Sequence, residues 1–153
     1  MKGLPFTLCL LCMATPQAEA SETAPLSLKS AGAVTGLAVR IVQDDSYSVR
    51  IDYFYPPADT QARKVLWDAT GGGRDSGAPF SVNLRIYDVD DAVVIQDRRI
   101  SHPALSSWSD GVLHAELSEV RLARGRYQIT VERRGSAGAI ADYRAGISVV
   151  RAW

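Results

Sequence analysis

The chain has 153 residues, 46% of them hydrophobic, and its 17 basic and 17 acidic side chains cancel. Such a balance supplies no net field to draw in nucleic acid or an anionic membrane, which excludes both as principal partners. Both cysteines, Cys9 and Cys12, precede Ala20, so the rest of the chain has no thiol nucleophile, disulfide or cysteine metal site.

The opening stretch, MKGLPFTLCLLCMATPQAEA, has the form of an export signal. Lys2 is its positive end, Leu4 to Ala14 its apolar run, and Ala18-Glu19-Ala20 its small-x-small cleavage pattern. Cleavage after Ala20 is expected, leaving residues 21–153 as one domain in the periplasm. The apolar run falls short of the ~20 residues that span a bilayer. Leu10 and Leu11 stand where a lipoprotein signal has small residues before its cysteine. Roughly 130 residues suffice for one packed core and are too few for two of ordinary size.

In chain order, the first expected strand covers residues 36–42. Over residues 47–55, Tyr47, Val49, Ile51, Tyr53 and Tyr55 share one face, and Ser48, Arg50 and Asp52 share the other. Pro56 and Pro57 close that strand, because proline has no N–H to give to a ladder. The period then changes. Ala62, Val65 and Leu66 recur at helical spacing behind a candidate N-cap at Asp59 or Thr60, and Gly71 stands where a C-cap glycine would. Residues 80–87 return to alternation with Phe80, Val82, Leu84 and Ile86 inward, Asp88 to Asp91 make a turn, and Val93 begins a returning strand. Residues 112–117, 126–133 and 143–151 complete the pattern. Tyr127 follows Gly125 by two at the head of a strand, as in the tyrosine corner of Greek-key sandwiches. The expected fold is therefore an all-β, antiparallel Greek-key (immunoglobulin-like) β-sandwich with one short helix. A closed barrel shares the periodicity but not the corner.

The chemistry-bearing stretches are sparse. In residues 71–79, GGGRDSGAP, Ser76 sits beside Asp75 among glycines, but Arg74 breaks the serine-protease pattern and neither His102 nor His114 has protease surroundings. A phosphate loop would follow a strand and end in Gly-Lys-Ser/Thr, whereas this one follows the helix and holds no lysine. Asp88, Asp90 and Asp91 lack the spacing of a calcium loop, and two isolated histidines do not make a zinc site. No catalytic residue, metal or cofactor is expected, and the chain is read as a non-enzyme. Recognition is left to exposed loops: Arg74, Asp75 and Ser76 in the first, Trp108 and Asp110 of residues 106–111 in the second. Trp108 has the alternative of folding back over the open end of the sandwich. Trp67, beside Val65 and Leu66, is expected in the core.

The order of an export signal, a tyrosine-rich strand, a short helix with a glycine-rich loop, FSVNLRIY at 80–87, PALSSW at 103–108 and LARGRY at 122–127 resembles a family of small bacterial envelope proteins. Their function is unassigned, many are lipoproteins, and their genes often lie beside type VI secretion loci encoding lipase-type effectors. Arg124 stands where members commonly have a proline, and the signal departs from the lipoprotein form. The resemblance implies a periplasmic immunity protein that binds a toxic effector, and it carries no catalytic residues. An envelope structural or chaperone-like component and a carbohydrate- or lipid-binding module are the alternatives.

Overall fold

Alternating side chains produce strands with one wet and one dry face, and here two sets of them close on each other. The computed structural model describes residues 23–72 and 76–152. Its elements are β1 (Thr23–Leu26), β2 (Val34–Ile41), β3 (Asp45–Phe54), α1 (Thr60–Ala69), β4 (Ser81–Asp88), β5 (Val93–Ser101), β6 (Ser107–Ser109), β7 (Val112–Leu122), β8 (Gly125–Arg134), a 3₁₀ turn (Gly138–Ile140) and β9 (Arg144–Arg151). One sheet runs β1-β9-β3-β7-β6 and the other β2-β8-β4-β5. All neighbours are antiparallel. The expected Greek-key sandwich with one helix is what forms. Apart from the short β6, first pairs with last and second with next to last, which is the jelly-roll order.

The dry seam follows the alternation. Val49, Ile51 and Tyr53 of β3, with Leu113, Ala115 and Leu117 of β7, face Val82, Leu84 and Ile86 of β4 and Ile129 and Val131 of β8, all of them buried. A bulge in β7 opposite Val49 and Arg50 leaves the alternation of β3 intact. Two elements escaped the sequence reading. β1 is four residues long and contains Pro25, which is tolerated because β1 is an edge strand. β6 has three residues, too few to show a period.

Helix α1 is bounded as its sequence dictates. The Asp59 carboxylate accepts from the Ala62 N–H at 2.8 Å, and Gly71, at φ 86°, takes the left-handed position past the last turn. Leu66 is its buried residue.

Polar groups stitch the sandwich together. The Tyr127 hydroxyl donates to Ala123 O at 2.9 Å, the predicted corner. Tyr47 makes the equivalent bond to Gln43 O at 2.9 Å where β3 begins. The Asp44 carboxylate, accepting from Arg124 N–H at 2.7 Å, ties these two crossings together. At the other end Arg133 is fully buried. Its guanidinium donates to Ser27 O (3.1 Å), Ser30 O (2.5 Å) and Gly135 O, and lies 5.4 Å from the Phe80 ring centroid. Burial pulls this guanidinium below its usual pKa.

Tyr53 is the counter-example, its buried hydroxyl having no hydrogen-bond partner among the described residues. Burial pushes that hydroxyl's pKa up. Tyr127→Phe should therefore lower stability by about 1 kcal/mol, whereas Tyr53→Phe should leave it unchanged or raise it, since only the first removes a made bond. Urea unfolding of both variants measures the contrast. Arg133→Met, which strips three carbonyls of their donor, should cost about 2–4 kcal/mol, read as a lowered denaturation midpoint.

Candidate functional site

The two loops singled out in the sequence are neighbours. Leu105 N–H donates to Thr70 O at 3.3 Å and Ala78 N–H to Pro103 O at 2.9 Å, joining the end of α1 to the approach to β6. A Cβ on Gly72 would stand 2.3 Å from the Trp67 indole, so this glycine is where the ring lies down on the chain. Ser76 is exposed on this side, whereas Arg74 and Asp75 lie outside the described residues.

Residues 106–111 form something more regular than a loop. Ser107–Ser109 pairs with Val112–His114, and Asp110-Gly111, with Gly111 at φ 76°, is a two-residue hairpin turn. The Asp-Gly pair between two strands was the signal that marks it. Register places Trp108 opposite Leu113, whose side chain faces the core. Trp108 therefore points to the same side, beyond the rim of the core, where α1 lies. Its ring meets Trp67 edge-on, with centroids 5.4 Å apart and planes at 75°, and Arg63 lies 5.3 Å from the Trp67 centroid. Trp67 is half-buried and packs against the core, while Leu66 takes the fully inward position. Trp108 remains 61% exposed, so it only partly covers the end of the sandwich. Asp110 is exposed at the turn beside it.

The other face of β6 carries a second constellation. On β3 and β7, Asp52 and His114 are directly opposed and point away from the core. His114 Nδ1 lies 2.7 Å from Asp52 Oδ1, and His114 Nε2 lies 3.3 Å from Ser109 Oγ. The carboxylate fixes the ring proton on Nδ1, leaving Nε2 to accept from the serine hydroxyl. Arg50 Nε approaches the same Asp52 oxygen at 3.1 Å and donates to Ser148 Oγ at 3.0 Å. Asp52 and His114 are buried while Ser109 is exposed. Nearby, Arg144 stacks over Phe54 at 5.3 Å on the wall of an open groove of about 880 Å³ that runs past Pro25, Leu28, Val34 and Tyr143. The sequence reading missed Asp52 and Ser109. Ser109 is brought to His114 by the Asp110-Gly111 hairpin, whereas Asp52 is linked to it only by strand register.

The remaining candidates resolve into structure. Asp88 accepts from the N–H groups of Asp90 and Asp91 at 2.9 and 3.0 Å, and Asp90 is bound by Arg126 at 2.7 Å. The acidic cluster is thus a self-bonded turn. Among the described residues no group of three or more potential metal ligands comes together. None of their helices is long and apolar enough to cross a membrane. On β5, Val93, Val94 and Ile95 are 41–49% exposed along an edge. Asp97, Arg98 and Arg99 follow them, the kind of charge that guards an edge strand.

The fold and these surfaces define a jelly-roll sandwich module. The chain belongs to the family described as a domain of unknown function, DUF5625, whose model matches residues 23–151. A protein of Sulfurospirillum deleyianum, known from its crystal structure, superposes with a TM-score of 0.70 at 13% identity, over 88% of this chain and 99% of that one. That likeness is one of fold. The CBM35 from Cellvibrio japonicus Abf62 aligns with a TM-score of 0.42 at 17% identity, covering 82% of this chain and 70% of its own. A carbohydrate-binding module from Cellvibrio mixtus lichenase 5A, solved with cellotriose, gives 0.38 at 16%, covering 80% and 73%. No match to a curated protein was found.

Asp45 and Asp90 titrate below the usual carboxylate range. The main cause is a side-chain hydrogen bond, from Arg151 and Arg126 respectively, followed by a backbone N–H. A carboxyl lowered in the folded state stabilises above its unfolded pKa, and that contribution disappears as pH falls through the folded value. Acidification below about pH 4 should therefore lower the urea midpoint. The drop should be smaller in Asp90→Asn, which removes one of the two lowered carboxyls.

Proposed function

We propose that this protein acts by recognition in the periplasm, as an immunity protein that binds and neutralises a lipase-like type VI secretion effector. The observation that carries the binding reading is Trp108, a 61% exposed indole braced edge-on by Trp67 on the rigid β6–β7 hairpin. A large aromatic side chain held in place before contact loses little entropy on binding, which is why tryptophan recurs as an interface anchor. Asp110 is exposed two residues after the indole, Ser76 is exposed in the glycine-rich segment that follows α1, and Arg74 and Asp75 belong to that segment by sequence. The export signal supports the compartment, and the motif resemblance supports the effector class. In this reading the role requires no turnover.

A carbohydrate-binding module is the second reading. It is favoured by the same exposed indole, whose flat apolar face can stack on a sugar ring.

Calorimetry of the mature chain against the product of the neighbouring gene tests the first reading. Complex formation is expected, with Trp108→Ala weakening it by tenfold or more, the equivalent of about 1.4 kcal/mol. Because the ring is largely exposed and loses only its edge-on contact with Trp67, the variant should keep the parent's stability to within about 1.5 kcal/mol, read by thermal unfolding. Absence of a complex at micromolar concentration defeats the immunity reading. Glycan-array binding lost in Trp108→Ala would establish the second.

A further inference from the structure

We propose that Asp52, His114 and Ser109 form a working relay that makes Ser109 a nucleophile towards esters with an apolar acyl group, an activity beyond the binding reading. The hydrogen bonds run in the required order, carboxylate to imidazole (2.7 Å) to hydroxyl (3.3 Å). Exposure follows the same order. Asp52 is 4% and His114 7% exposed, and the serine at the end of the chain stands in solvent. A nucleophile must meet its substrate while its base and orienting acid are held out of water, as in serine hydrolases.

All three groups sit on neighbouring strands of one sheet, so the geometry is set by backbone pairing rather than by a mobile loop. Arg50 holds the carboxylate from behind, approaching Oδ1 at 3.1 Å. Nearby Ser106 is otherwise occupied, its hydroxyl bonded to His114 O at 3.2 Å and Glu116 N at 3.0 Å. Ser109 is thus the hydroxyl the structure assigns to Nε2.

Strand register also supplies an acyl surface. Ser109 is opposite Val112, Val112 opposite Phe54, and Phe54 opposite Arg144. With strands about 4.8 Å apart, this row extends roughly 14 Å from the hydroxyl to the groove wall. An aliphatic acyl group lying on Val112 and Phe54 points into the groove of about 880 Å³.

The reaction balances without a cofactor. Ser109 Oγ attacks the ester carbonyl as its proton passes to Nε2, and the tetrahedral adduct expels the alcohol, which takes that proton. Water then adds to the acyl-serine while giving a proton to Nε2. Collapse releases the carboxylic acid and returns the proton to Ser109.

A fluorophosphonate probe, which phosphonylates activated serines only, tests this on the mature chain by intact-mass and peptide mass spectrometry. One adduct is expected, on Ser109, together with hydrolysis of 4-nitrophenyl octanoate. Both should be lost in Ser109→Ala, an exposed change that leaves the melting temperature unaltered. Asp52→Asn, if it folds, should slow labelling at least tenfold. No adduct, an adduct on another serine, or labelling undiminished in Ser109→Ala overturns the proposal. A folded Asp52→Asn that labels at the parent rate also overturns it, since a merely structural pair would leave the rate unmoved.

Discussion

The dry seam between the two sheets is the constraint on which the other features rest. Ile51 and Tyr53 must face inward from β3, and Leu113 and Ala115 inward from β7. A one-residue slip of either strand would send its apolar row to solvent. With those rows held, the residues between them have no choice of direction. Asp52 and His114 are turned outward and set opposite each other. The polar pair on the outside of the sheet is thus a consequence of hydrophobic packing on its inside.

The same alternation divides β6. Trp108 shares the side of Leu113 and leans on α1, while Ser109 shares the side of His114. Trp108 and Ser109 thus occupy opposite faces of one three-residue strand. The hairpin turn at Gly111 fixes both together. Tyr55 N–H donates to Gly111 O at 3.0 Å, anchoring the turn to the chain just beyond β3.

Where apolar contact ends, buried polar groups close the structure. The guanidinium of Arg133 serves the carbonyls of the β1–β2 connection, which has no regular ladder of its own. At the opposite side Ser118 donates to Gln96 Oε1 at 2.7 Å and Arg98 donates to Leu117 O, so β5 covers part of the open edge of β7 with side chains. An unpaired carbonyl in such a position would lose more in desolvation than a surface bond gains. This is the physical reason long polar side chains are found at these seams.

Residue order alone determined the strands long enough to show a period of two, the single helix with its cap at Asp59 or Thr60, and the Tyr127 corner, because each depends on neighbours a few positions apart. It also determined that Gly71 ends the helix and that the aspartates of 88–91 make a turn. It could not show β1 or β6, whose three or four residues form strands only because a longer partner is already there. Strand order was likewise hidden, since periodicity carries no information about which edges meet. Tertiary structure alone decided that Trp67 would brace Trp108, and that residues 52, 109 and 114 would lie in hydrogen-bonding sequence. The Asp52–His114 contact is set by register between strands distant along the chain, and the Trp67–Trp108 contact by how α1 packs beside β6, and both belong to the packed core as a whole.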